Sequence, residues 1–192
     1  MPSLSSIRNP RVLIAGAGLL ILQAFVLWLM GQPAICTCGY IKLWEGVVLG
    51  PGNSQHLADW YTFSHFIHGL LFYWLLTLVA PKLSVRARLL IAVGVEVSWE
   101  VVENTPWLID HYRQQALAQG YIGDSIFNSL SDTLAMVLGF VAAWRLPVWA
   151  SVLLGLMLEG VSMFFVRDGL ALNAINLLHH FDVIDHWQAN GH

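Results

Sequence analysis

The chain has 192 residues, of which 57% are hydrophobic and only 11% charged, and its mean hydropathy is +0.63. Soluble domains carry roughly 25% charged residues, so the composition excludes a disordered chain, a coiled coil and an ordinary soluble enzyme, and leaves an integral membrane protein. Nine Lys and Arg stand against twelve Asp and Glu, a formal charge of −3 with no basic run, which argues against nucleic acid as a partner and leaves the lipid bilayer.

Residues 12–30 are apolar apart from Gln23. About 20 such residues cross a hydrocarbon core. No Ala-x-Ala follows the run, so it reads as a retained first helix rather than a cleaved signal peptide. Further spans are expected at 61–80, 86–104, 125–144 and 148–166. Pro81, Pro106 and Pro147 punctuate them. The tail, 170–187, is too short and polar to cross. Its apolar residues at 170, 174, 177, 181 and 184 recur at helical spacing and predict an amphipathic helix lying along the interface. The expectation is one all-α domain over 1–192, a polytopic membrane helix bundle of five transmembrane helices plus that C-terminal interfacial helix.

Lys and Arg set the orientation. Arg8, Arg11, Lys82, Arg86, Arg88 and Arg145 fall on one side of this arrangement, and Lys42, Arg113 and Arg167 on the other. The N-terminus is expected in the cytoplasm and the C-terminus outside. Two loops then face outward, 31–60 and 105–123.

Ionisable groups inside spans are costly and are functional candidates by default. At 100° per residue, Tyr61, Ser64, His65 and His68 share an arc of about 100° on the second span. Glu96, Glu100 and Glu103 share one of about 60° on the third, bordered by Asn104. Asp124, Asn128 and Asp132 share one of about 80° on the fourth. All three stripes fall in the outer half of their spans, which predicts one polar pocket open to the outer face. Glu159 on the fifth span is a candidate for its floor.

The pocket gathers five carboxylates and two histidines, with no Lys or Arg inside these stripes. A central carboxylate costs about 2.5–3.5 kcal/mol on insertion scales. Either some carboxyls stay protonated, or a bound cation neutralises them. His, Glu and Asp are good ligands for zinc, manganese or iron. The pocket is expected to bind a divalent metal or a small polar ligand through His65, His68, Glu100, Glu103 and Asp124, with Glu96, Asn104, Asn128 and Asp132 orienting them. Metal-assisted hydrolysis or group transfer on a lipid or envelope substrate is the enzymatic version of this reading. A small proton-coupled transporter using Asp132, Glu96 and Glu159 is one alternative. A non-catalytic assembly subunit, with stripes serving only helix packing, is another.

Weaker signals remain. Cys36 and Cys38, one residue apart, fit a redox pair, a metal-ligand pair or a local loop clamp. His179, Asp182 and His186 would share a face of one continuous tail helix. There is no Gly-rich phosphate loop and no zincin motif.

Several runs carry a family resemblance. They are Cys-Thr-Cys-Gly-Tyr-Ile-Lys-Leu-Trp at 36–44 and Ser-Gln-His-Leu-Ala-Asp-Trp-Tyr-Thr-Phe-Ser-His at 54–65. To these add Trp-Glu-Val-Val-Glu-Asn at 99–104, Gly-Asp-Ser at 123–125 and Asn-Ser-Leu-Ser-Asp-Thr at 128–133. Over nearly its whole length the chain resembles the bacterial membrane family called uncharacterised protein family 0314, or domain of unknown function 2585. The resemblance implies a multi-pass protein of the bacterial inner membrane.

Overall fold

The computed structural model describes residues 9–190 and is all-helical over that range. Arg8, used above for orientation, lies outside the described residues. Eight helices follow in order: α1 (Pro10–Leu29), α2 (Thr62–Val79), α3 (Val85–Glu103), α4 (Pro106–Tyr112), α5 (Ile126–Arg145), α6 (Val148–Val166), α7 (Leu170–Leu178) and α8 (Asp182–Ala189).

Local chemistry sets the ends. Asn9 caps α1 by accepting from the Arg11 N–H, with Pro10 at the first turn. Ser84, Thr105 and Ser125 cap α3, α4 and α5 through their hydroxyls. The unpaired N–H groups at the start of α5 meet loop carbonyls: Ser125 donates to Ser54, Ile126 to Pro33 and Phe127 to Ala34. The long α1–α2 loop is thereby fastened across one end of the bundle.

α1, α2, α5 and α6 are long and apolar enough to cross a membrane. α3 is as long, but Arg86, Arg88, Glu96, Glu100 and Glu103 lower its mean hydropathy. It lies inside the bundle all the same, packed against α1, α2 and α5. The outer faces of α1 and α6 are exposed hydrocarbon, including Ile14, Ile21, Leu156 and Phe164.

α2 and α5 form the closest pair. A Cβ on Gly69 would overlap the backbone of Met136 and Phe140, and one on Gly139 would overlap the Phe66 carbonyl. Leu89, Ala92, Val93 and Val97 of α3 pack on Met136 and Phe140 of α5 to form an apolar core. That core occupies the half of the bundle away from the long loop. The polar stripes occupy the other half.

Two elements differ from expectation. α4 is a helix where a loop was expected between the third and fourth spans; Thr105-Pro106 starts it with a cap followed by a first-turn proline. The tail is two helices, not one, because the backbone is extended at His179. α8 turns back to the end of α6, where Gln188 donates to the Arg167 carbonyl and Arg167 donates to the Trp187 carbonyl. One straight helix could not reach there.

Candidate functional site

α2 and α3 face each other through their polar stripes. His65 Nδ1 lies 2.7 Å from Glu96 Oε1 and 3.2 Å from Glu100 Oε1. His68 Nδ1 lies 3.2 Å from Glu96 Oε2. One carboxylate, 0% exposed, therefore holds both imidazoles. On the opposite side, His65 Nε2 is 4.0 Å from Asp132 Oδ2 of α5. The other Asp132 oxygen accepts from the Thr62 hydroxyl at 2.8 Å.

Glu100 is tied to α5 and α1. Ser129 donates to Glu100 Oε2 at 2.6 Å, Gln23 donates to Ser129 at 2.7 Å, and Thr133 donates to Gln23 at 2.9 Å. The polar interruption of the first span is thus a buried clamp on the site. Sequence reasoning noted Gln23 without giving it this role; one amide in an otherwise hydrocarbon helix was the signal.

Asp124 sits apart from the histidine pair. It accepts from Asn104 Nδ2 at 2.7 Å and from the Tyr121 hydroxyl at 2.9 Å, and its own N–H donates to Asn104 Oδ1 at 2.7 Å. Burial pushes its carboxyl up to about 6, although those two donors favour the anion. Asn128 turns toward the long loop and donates to the His56 carbonyl at 2.9 Å. Glu103 is half-buried, faces the Tyr112 hydroxyl, and keeps Oε2 buried without a hydrogen-bond partner. Glu159 accepts from the first N–H groups of α7, at 3.1 Å from Leu170 and 2.8 Å from Ala171, away from the buried cluster.

Part of this cluster borders a cavity of about 340 Å³, with Glu96 and Glu100 set back from it. His65, His68, Glu103, Asp124 and Asp132 form one wall. Phe72, Val95, Trp99 and the α7 residues Leu170, Ala174 and Leu177 form another. No Lys or Arg lines it among the described residues. α7 closes it from above, tethered by the Tyr61 hydroxyl, which donates to Asp168 Oδ2 at 2.9 Å. Burial raises the Asp168 carboxyl to about 6.

Ligand atoms come within 4.8 Å of one another in three groups: His65, His68 and Glu96; His65, Glu100 and Glu103; and Cys36, Cys38 and His56. In the last group Cys36 and Cys38 are joined as a disulfide, which clamps the loop turn and takes their sulfurs out of metal binding. His56 stacks on Tyr40 and approaches Glu45, which also accepts from Lys42 at 2.6 Å. In the tail, His179 packs against Phe181 and Asp182 pairs with His180, so the face expected from one continuous helix is divided by the turn.

The molecule is an all-helical bundle with four membrane-length apolar helices and a buried histidine–carboxylate cluster at one end. The family described as "Protein of unknown function (DUF2585)" matches residues 27–190. The chain belongs to this family. It is 51% identical to a UPF0314 protein of Paracoccus denitrificans over 90% of this chain and 91% of that one. It is 49% identical to one of Agrobacterium fabrum over 97% and 94%. A third, from Rhizobium meliloti, is 51% identical over 92% and 90%. No solved structure matches.

Proposed function

We propose that the protein is a five-span bundle of the bacterial inner membrane, N-terminus cytoplasmic and C-terminus periplasmic, whose outward-facing pocket binds a divalent cation. The observation that carries this reading is the meeting of His65 and His68, on the wall of a cavity, with the buried Glu96 and Glu100 behind them. Two imidazoles and a carboxylate with open positions form a donor set suited to zinc, manganese or iron(II). A cation there would relieve the surplus of buried carboxylates. Glu96 is then a ligand rather than an orienting group, and Glu100 is positioned by Ser129 and Gln23. Asp124 and Asn104 instead brace the mouth of the pocket. With its open positions toward the cavity, a bound ion could polarise a substrate carbonyl or phosphoryl group, so metal-assisted hydrolysis or group transfer is the chemistry the site suits.

The test is metal content. Protein purified in detergent is loaded with zinc, manganese or iron(II), desalted and measured by elemental mass spectrometry. The wild type should retain on the order of one ion per chain. His68→Ala should fall to background, since its ring is part-exposed to the cavity and its loss disturbs packing least. No retained ion in the wild type, or equal retention in the variant, removes the metal reading and leaves the cluster a helix-packing network.

A further inference from the structure

Two buried polar atoms of opposite character share the cavity beside the histidines. Gln115, 5% exposed, lines it with an amide nitrogen that has no hydrogen-bond partner. Glu103 lines it with Oε2 buried and likewise unpartnered. Buried polar atoms in a folded protein are nearly always satisfied, by the protein, by water or by a ligand. The Tyr112 hydroxyl faces Glu103, and Trp99 and Tyr121 line the same cavity. A carboxylate in an aromatic-lined cavity with no Lys or Arg on its walls suits an ammonium group. An amide donor nearby calls for an acceptor oxygen. A ligand that carries both would satisfy the two atoms.

A second cavity, of about 350 Å³, lies between α2 and α6, lined by Ile67, Leu70, Leu71, Trp74, Val152 and Leu156, among others. Its one carboxylate, Glu159, spends both oxygens on the start of α7. Leu170 and Ala174 of α7 border both cavities. A chamber with one polar wall and an apolar groove therefore flank one short helix, an arrangement that suits the headgroup and chain of an amphiphile.

We propose that the pocket holds a zwitterionic bilayer lipid, its ammonium against Glu103, a phosphate or ester oxygen on the Gln115 amide, and an acyl chain in the α2–α6 groove beneath α7. The inference names a ligand class for the pocket described above. It rests on the membrane reading and not on the metal: Gln115 belongs to none of the candidate metal groups, and Glu103, which groups with His65 and Glu100, is tested with and without chelator.

The test uses the full chain in detergent, titrated with dioleoyl phosphatidylethanolamine or dioleoyl phosphatidylglycerol and followed by native mass spectrometry. Identical chains isolate the headgroup. The wild type should retain the ethanolamine lipid over the glycerol lipid by on the order of ten-fold. Glu103→Gln should abolish that preference. Gln115→Leu, outside the long helices, should weaken retention of both lipids and serves as the second variant should the first fail to fold. Equal retention of the two lipids by the wild type overturns the proposal, and so does a preference that survives Glu103→Gln. The same titration in EDTA separates the two readings. A preference that persists without metal upholds the lipid pocket whatever becomes of the ion, whereas a wild type that binds an ion but shows no headgroup preference sinks the lipid inference alone.

Discussion

Asp124 shows what a single residue contributes. It lies outside the long helices, fully buried, and its carboxyl titrates at about 6 against an ordinary 3.8. The fold therefore prefers the neutral acid. That stabilisation is fully present below about pH 4 and is lost as the pH rises through about 6, a change of up to about 3 kcal/mol. Asp124→Asn keeps an acceptor for Asn104 and offers Tyr121 a donor, without the charge. Unfolding of both proteins in detergent should show the variant gaining on the wild type between pH 4 and pH 7. Asp168 also titrates at about 6 and slopes both profiles alike, so the difference between them reports Asp124 together with the neighbouring carboxyls its charge acts on. A constant gap across the range would show that this carboxyl does not titrate with folding. Helical spacing was enough to put His65, His68, Glu96 and Glu100 on facing stripes, because in a bundle polar faces turn inward together. Spacing says nothing of which stripe member bonds which neighbour. Asp124 precedes its helix and follows the loop, so Asn104 and Tyr121 reach it first. Gln115, Asp59 and His56 sit in irregular backbone, where no periodicity marks a side chain as buried.

At the scale of elements, the site depends on how closely α2 approaches α5, since His65 and Asp132 ride on those two helices. Small residues permit close helix contact where lipid offers no hydrophobic drive. Gly69→Ala and Gly139→Ala each put a methyl into opposing backbone, which flexible side chains cannot relieve. Each should cost about 1–3 kcal/mol or more and widen the gap between His65 and Asp132. Gly94 on α3 provides the contrast: a Cβ there meets nothing within 4 Å. Gly94→Ala should be neutral or stabilising by up to about 1 kcal/mol, from helix propensity alone. Thermal unfolding in detergent checks all three, and equal effects at Gly69 and Gly94 would refute the close-packing account. The sequence marked each long helix because prolines and apolar runs bound them. α4 was missed because seven residues carry too few turns to show a period, although its cap and proline were visible. The break in the tail was missed because neither Gly nor Pro marks it; contacts of α8 with Arg167 impose it.

At the scale of the whole molecule, the number of crossings rests on α3. Average hydropathy sets it aside from the other four long helices, but an average ignores which way each side chain points. Glu96 and Glu100 are turned inward, 0% and 1% exposed, whereas Ile91 and Val102 are exposed. The exposed Ser98 on the same helix spends its hydroxyl on the Gly94 carbonyl, so α3 shows few unpaired polar groups along its middle. Its two ends also match those of its neighbours. Near its start Arg88 donates to Thr77 at 2.6 Å, by the end of α2, and just past its far end Asn104 bonds Asp124 at the start of α5. A helix of 19 residues rises about 28 Å, close to the thickness of a hydrocarbon core. Five crossings put the termini on opposite sides, and four put them on the same side. Arg11, Lys82, Arg86, Arg88 and Arg145 gather at the end away from the long loop, which is the end the proposed orientation puts in the cytoplasm. Alkaline phosphatase, active only outside the cytoplasm, should then be active when fused after the last residue or within 113–123, and inactive when fused at 81–84 or 146–147. A fluorescent protein that matures only in the cytoplasm should give the reverse pattern. An inactive phosphatase at 113–123 and at the C-terminus, with an active one at 146–147, would mean four crossings and would take α3, and the carboxylates it carries, out of the proposed span.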